Sequence, residues 1–387
     1  MTTRMKDTGK ADKASITELV GDICGAHGDG TALVLGSDAF AIEVRGICPS
    51  GIATWDAGTG RWGAPYGRLT MLSGNEGSGK TTLGLHLVAE CQKRGGIAMY
   101  QDMEYKLDPD LARKIGVDLS NLIISQPPHL EACLGVMETT IMSVAKWRKE
   151  SGHFIPVMIV LDSINAALAK CELEGDYDDS HYAPQARVMS LGLKKLIPLC
   201  AREMVALVFI SQLREKVGVM FGKKSDTAAG KAPKFYSSLI AEIRKSGSIK
   251  VGEKHIGNEV SVYFGKNQIG QPFKTIKFNI MFGTGVDVQR ALMDQAVENG
   301  LIKRAGAWFS YDWKGKEIKW QGANKFPEAL AENEGLEESL RDHVYTGAIE
   351  VEATKPTKAE LAAAKKAEAK KAEAAKKAAK GSKDVTE

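Results

Sequence analysis

From residue 46 to residue 287, short apolar runs alternate with longer stretches whose apolar residues recur every three or four positions. The short runs are "RLTML" (68–72), "IAMYQDME" (97–104), "NLIISQ" (121–126), "VMIVLDS" (157–163), "VALVFISQ" (205–212) and "SVYFGK" (261–266). Between the first two, "TTLGLHLVAECQKR" (81–94) places Leu83, Leu87 and Val88 at helical spacing. Strands alternating with helices predict an α/β fold: a mostly parallel central sheet with helices on its faces. Upstream, "ASITELVGDICGA" (14–26) opens on a capping box of Ser15 and Glu18 and carries Ile16, Leu19, Val20 and Ile23 on one stripe. That helix stands apart from the alternating region, so its stripe is expected to dock on a neighbouring subunit if not on the protein's own core.

Composition sharpens this picture in a few places. The 387 residues are 43% apolar, enough for a large core, and no run of eighteen apolar residues suggests a membrane span. The polar start "MTTRMKDTGK" lacks an apolar signal core, which points to the cytoplasm. Six scattered cysteines, none in C-x-x-C, are expected to be reduced thiols rather than disulfides or zinc ligands. The net charge of +4 is misleading as a whole-chain number, because residues 351–387 hold ten lysines against six acidic residues and account for all of it. That Ala/Lys/Glu tail has helix propensity but nothing to pack, and is expected to be disordered or a frayed helix. Either a solubilising segment or an arm that gathers DNA fits it. The expected organisation is 1–45 as oligomerisation helix and linker, 46–287 as core, 288–350 as a small C-terminal domain and 351–387 as tail.

In parallel sheets, ligands bind beyond the carboxyl ends of the strands. After "RLTML" comes "SGNEGSGKTT", which fits G-x-x-x-x-G-K-[ST] with Gly74, Gly79, Lys80 and Thr81. A strand–loop–helix with this spacing cradles phosphates on backbone N–H groups, here across Gly74, Asn75, Glu76, Gly77, Ser78, Gly79, Lys80, Thr81 and Thr82. Lys80 is expected to reach the β/γ oxygens of a nucleoside triphosphate, and the Thr81 hydroxyl to ligate Mg²⁺. Asp162 closes an apolar run, as a carboxylate holding Mg²⁺ through water does. Glu104 ends another strand and is positioned to deprotonate an attacking water. Gln212 ends a third, where an amide can sense a γ-phosphate.

"EGSGKTTL", "LDPDLARKIGVDLSNLIISQP", "ELEGDYDDSH", "VGVMFG", "KFYSS" and "AGAWFSY" follow one another in the order found in bacterial RecA recombinases, which the chain resembles over about residues 30–350. The resemblance implies a RecA-type P-loop ATPase core that uses ATP and Mg²⁺ and assembles into helical filaments on single-stranded DNA. Such filaments pair that strand with homologous double-stranded DNA and exchange strands. Glu104 then corresponds to the catalytic glutamate, Gln212 to the γ-phosphate sensor and Lys266 to a lysine supplied to the next subunit's ATP. Residues 171–187 resemble the first DNA-binding loop and 214–235 the second. Tyr182, Arg187, Ser190 and Lys194 fall on the first loop and the helix after it, and Arg214, Lys216, Val217, Gly230 and Lys231 on the second. Arg244 and Lys245 match positions that hold the incoming duplex. Phe235 matches a residue that links neighbouring ATP sites.

The chain also departs from the family. Gln268 stands where a second lysine is expected, halving the cations offered in trans. Leu111 replaces the aromatic that stacks on adenine, while Asp108 keeps the base-side carboxylate and Phe282 an aromatic expected across the subunit interface. Ser261 replaces an arginine tied to repressor cleavage. A hexameric helicase motor on the same core, and a weakly catalytic filament that coats single strands, are the rival readings.

Overall fold

A computed structural model describes residues 13–28, 32, 46–176, 183–215, 225–226 and 230–354. The chain forms two compact units that divide between Ala291 and Leu292, within the helix Val288–Glu298.

The first unit is built on one nine-stranded sheet: β1 (Leu69–Gly74), β2 (Ile97–Asp102), β3 (Leu122–Ser125), β4 (Val157–Asp162), β5 (Val205–Gln212), β6 (Ser237–Val251), β7 (Lys254–Asn267), β8 (Thr275–Met281) and β9 (Gly285–Val286). Their order across the sheet is β9-β8-β7-β6-β1-β5-β4-β2-β3. From β6 to β3 every neighbour is parallel, whereas β7, β8 and β9 are added antiparallel. The run "SVYFGK" therefore belongs to the return limb of a long hairpin rather than to another parallel crossover. Burial shows the physical difference. All six residues of β4 are buried, as suits a strand covered on both faces, while β7 alternates.

Successive residues of the parallel strands feed two apolar layers. Met158 and Val160 join Leu83, Leu87, Val88 and Tyr100 under the helix Lys80–Lys93. Ile159 and Leu161 join Met137, Ile141, Leu193 and Leu196, from the helices Leu130–Ser151 and Pro184–Glu203, on the opposite face. With both faces covered, polar chemistry is left to the strand ends.

The N-terminal helix spans Lys13–His27, so it starts ahead of Ser15, and Ser15 is not its N-cap as the sequence pattern suggested. Its Ile16 and Leu19 are exposed, at 40% and 59%. The second unit carries a three-stranded antiparallel sheet, Lys303–Ala305, Trp308–Trp313 and Lys316–Gln321. There Phe309 stacks on Trp320, and Trp320 leans on Phe326. Among the described residues all six cysteines are free thiols, and no helix is long and apolar enough to cross a membrane.

Candidate functional site

Parallel pairing brings the carboxyl ends of four strands to one edge. Gly74 of β1 lies beside Gln212 of β5, and Asp102 of β2 beside Asp162 of β4. From Gly74 the chain turns through 75–79 into the helix Lys80–Lys93. The turn needs left-handed backbone at Gly77 (φ 67°) and Gly79 (φ 95°). A Cβ on Gly74 would lie 2.2 Å from the Ile243 carbonyl oxygen, so that position tolerates no side chain. At Gly79 the left-handed backbone is the constraint, since the nearest atom, Ile280 Cδ1, is the movable end of a side chain.

Lys80 is 7% exposed, and its Nζ donates to the Asn75 carbonyl at 2.7 Å. Burial lowers its pKa, opposed by the negative charges of Asp162, Glu104 and Glu76. Thr81 Oγ1 and Tyr100 OH both donate to Asp162 Oδ2, each at 2.6 Å. Burial raises the Asp162 pKa. The two donors oppose that shift, as does Lys80, while the charge on Glu104 adds to it. Ser78 Oγ is buried in the same loop with no partner among the described residues. An orphaned hydroxyl, a buried ammonium and a Thr–Asp oxygen pair are a donor set that fits a polyphosphate with a hard divalent cation such as Mg²⁺.

Glu104 lies one step further along this edge. Its Oε1 accepts from Ser163 Oγ at 2.5 Å and from Gln212 Nε2 at 2.7 Å, and its Oε2 lies 3.4 Å from Lys106 Nζ. Gln212 is itself fixed, because its backbone N–H donates to Asn165 Oδ1 at 2.8 Å. Tyr100, Ser163 and Asn165 escaped the sequence reading. "DSIN" directly after the apolar run was the available signal for two of them; Tyr100 was hidden inside a strand.

A cavity of about 290 Å³ lies against the phosphate loop, lined by Lys80, Thr81, Leu111, Asn258, Ile280 and Phe282, among others. Phe282 lines this pocket within its own chain, where the β7–β8 hairpin reaches the phosphate loop, and it remains 55% exposed. Asp108 does not line this pocket. Its Oδ1 caps the helix Pro109–Ile115, accepting from the N–H groups of Asp110 at 2.9 Å and Leu111 at 3.2 Å.

Lys266 stands apart from this group. Its ammonium donates to the carbonyls of Phe235 at 2.8 Å and Lys234 at 3.3 Å, and burial lowers its pKa. The neighbouring Gln268 is exposed. Phe235 is 76% exposed and meets Tyr236 edge-on.

On the helix Pro184–Glu203, Arg187 and Lys194 are exposed and Ser190 is half-buried, all three within one face by spacing. Gly230 (φ 78°) abuts this helix, since a Cβ there would lie 2.9 Å from the Ala186 Cβ. The end of the second loop segment thus meets the start of the helix that follows the first. Lys231 is exposed beside it. Tyr182, Lys216 and Val217 lie outside the described residues, as does the Arg214 side chain; the Arg214 backbone pairs with Asp226. Arg244 and Lys245 are exposed on the part of β6 that runs beyond its pairing with β1, and Arg244 contacts Glu242 at 3.1 Å.

Residues 14–287 match the RecA N-terminal domain, and residues 290–348 match the RecA C-terminal domain. The chain is 43% identical to Protein RecA of Chlorobaculum tepidum over 317 residues, covering 82% of this chain and 88% of that protein. It is 39% identical to Protein RecA of Brucella anthropi over 345 residues, 88% of this chain and 92% of that one. Protein RecA of Rhodospirillum rubrum is 38% identical over 346 residues, with 89% and 91% covered.

Proposed function

The chain belongs to the RecA family, and from that premise we propose how its residues carry the family's work. It is a DNA-dependent ATPase and a DNA recombinase that binds DNA, assembles with itself and exchanges strands. The ring helicase and the inert coat are left without support. In our reading the nucleotide is ATP with Mg²⁺, the first DNA partner is a single strand, the second is a homologous duplex, and the work takes place in the cytoplasm. The four segments expected from the sequence serve, in order, assembly, catalysis with DNA contact, a small accessory domain and a basic tail.

Lys80 and the backbone N–H groups of 75–79 hold the β- and γ-phosphates, and Thr81 and Asp162 hold the cation. When bound, Mg²⁺ neutralises charge on the phosphate oxygens. Glu104 orients the attacking water and takes its proton. Gln212 carries the nucleotide's state outward. Its amide is bonded to Glu104 at 2.7 Å, and the chain leaves β5 at Gln212 directly into the segment 214–230. That bond is the observation that carries the reading. An amide that exchanges Glu104 for a γ-phosphate oxygen must move the start of the loop assigned to DNA, so ATP acts as a conformational ligand with different affinity for two states. Leu111 and Phe282 supply apolar walls for the base. Ile16, Leu19 and Phe235 offer exposed apolar surface for assembly, each aliphatic side chain worth about 1.5–3 kcal/mol when fully covered. Lys266 serves the next subunit's phosphates, while Arg187, Ser190, Lys194, Gly230 and Lys231 face the single strand and Arg244 and Lys245 the duplex.

A strand-exchange assay run with ATP and with a non-hydrolysable analogue tests this. Homologous pairing is expected with both, and completion of long exchange only with ATP. Pairing that needs no nucleotide would remove the role given to Gln212.

A further inference from the structure

Tyr100 is a polar residue in an apolar place. It lies inside β2, 1% exposed, in the layer that also holds Leu83, Leu87 and Val160. Its hydroxyl nevertheless has a partner, Asp162 Oδ2 at 2.6 Å, the oxygen that also accepts from Thr81 Oγ1. Among the described residues nothing donates to Asp162 Oδ1. One carboxylate oxygen is thus held from two sides, by the helix Lys80–Lys93 and by β2, and the other is left open.

We propose that Tyr100 is a positioning residue for the metal: it pins Asp162 through Oδ2, keeps Oδ1 available to a metal-bound water, and so sets the Mg²⁺ concentration at which nucleotide is held. The proposal rests on reading Asp162 as the metal carboxylate. With Thr81 as sole donor, the carboxylate could still rotate about its Cβ–Cγ bond. A second donor from a different element fixes its plane. Thr81 cannot do this alone, because its oxygen is also the proposed metal ligand and must satisfy that geometry first. The phenol has no competing task, since its ring is enclosed by the apolar layer. Outer partners of metal ligands are commonly worth roughly 10–100-fold in metal affinity.

The test is an equilibrium titration of the full chain with free Mg²⁺, followed by the fluorescence of bound N-methylanthraniloyl-ATP, in parent, Tyr100→Phe and Asp162→Ala. Tyr100→Phe keeps the ring and removes only the hydroxyl. Its Mg²⁺ midpoint is expected to rise about tenfold, while kcat at saturating Mg²⁺ stays within about twofold of the parent, since the reacting groups are untouched. A merely structural hydroxyl would leave the midpoint where it was. An unchanged midpoint in Tyr100→Phe, with or without a fall in kcat, overturns the inference. If Asp162→Ala moves the midpoint and Tyr100→Phe does not, only the role of Tyr100 is lost. If neither moves it, the assignment of Asp162 to the metal fails first.

Discussion

The nucleotide end of the sheet and the outward face of the helix Pro184–Glu203 are both assigned to phosphate, and they are built in opposite ways. At the sheet edge the cation is buried: Lys80 is 7% exposed and tied to the Asn75 carbonyl, and the nearby carboxylates hold hydroxyls and an amide at 2.5–2.7 Å. On the helix, Arg187 and Lys194 stand exposed in water. The first arrangement meets its desolvation cost during folding, so the site is fixed before nucleotide arrives and can discriminate by geometry. The second keeps its cations hydrated and gathers any polyanion, with an affinity that salt erodes. Loss of one group should therefore be close to all-or-none at the sheet edge and graded on the helix.

The largest effect is expected from Lys80→Ala. Without a fixed cation at the β/γ oxygens, ATP-dependent DNA binding should vanish, as fluorescence anisotropy of a labelled single strand with and without ATP will show. ATP-stimulated binding equal to the parent's would break the contrast at its strongest point.

Glu104→Gln comes next. The amide keeps an oxygen for Ser163 and Gln212 but cannot take a proton, so kcat should fall by roughly 10²–10⁴ while nucleotide still binds. Stable assemblies on DNA should then persist after ATP is supplied once. A parent that hydrolyses ATP no faster than this variant would make Glu104 a structural carboxylate.

Acid should disturb the nucleotide end before it disturbs the helix face. His86 is buried under the pocket, accepts from the Val286 N–H at 3.1 Å, and has its pKa pushed down to about 4, chiefly by burial and further by Lys93. The unfolded chain binds this proton near pH 6.5 and the folded chain only near 4, so the unfolded state holds more protons in between. Stability from this residue is complete above about pH 6.5 and is lost as pH falls toward 4, by about 3 kcal/mol in all. Chemical denaturation of the parent and of His86→Gln across that window should show a shallower pH slope in the variant; parallel slopes would rule His86 out.

How far the sequence carried these assignments differs between the two regions for the same physical reason. Strands covered on both faces are apolar throughout, so β1, β2, β4 and β5 stood out as runs, and parallel pairing put their polar ends on one edge. Gly74, Glu104, Asp162 and Gln212 could be picked as residues at or just past strand ends for that reason, and Lys80 by the G-x-x-x-x-G-K-[ST] spacing that follows the first strand. What stayed hidden needed tertiary structure. "SVYFGK" is equally compatible with parallel and antiparallel partners, and Tyr100 looks like one more apolar position until its hydroxyl is found on Asp162. Asp108 had a signal that went unused: an Asp directly before Pro109 is an N-cap with proline at the first helical position. On the helix face, charge and spacing gave the residues, but solvated side chains leave no packing pattern that says what they meet.

The smallest expected effect tests that helix face. Arg187 and Lys194 lie seven positions apart, two helical turns, with Ser190 between them and Gly230 packed at the start of the same helix. Neither cation has a hydrogen bond or ion pair to another described residue, so neither must be released from a partner before meeting a phosphate. Each should contribute mainly through counterion release. Arg187→Ala and Lys194→Ala are then expected to weaken single-strand binding a few-fold at moderate salt, equally for any base sequence. Each should also make the slope of log affinity against log salt shallower by about one. The nucleotide end should not notice, so the ATP concentration for half-maximal hydrolysis at saturating DNA should be unchanged. A slope equal to the parent's in both variants would mean that this face points away from DNA. A changed slope together with a lost ATP site would mean that the two phosphate-binding regions are built as one.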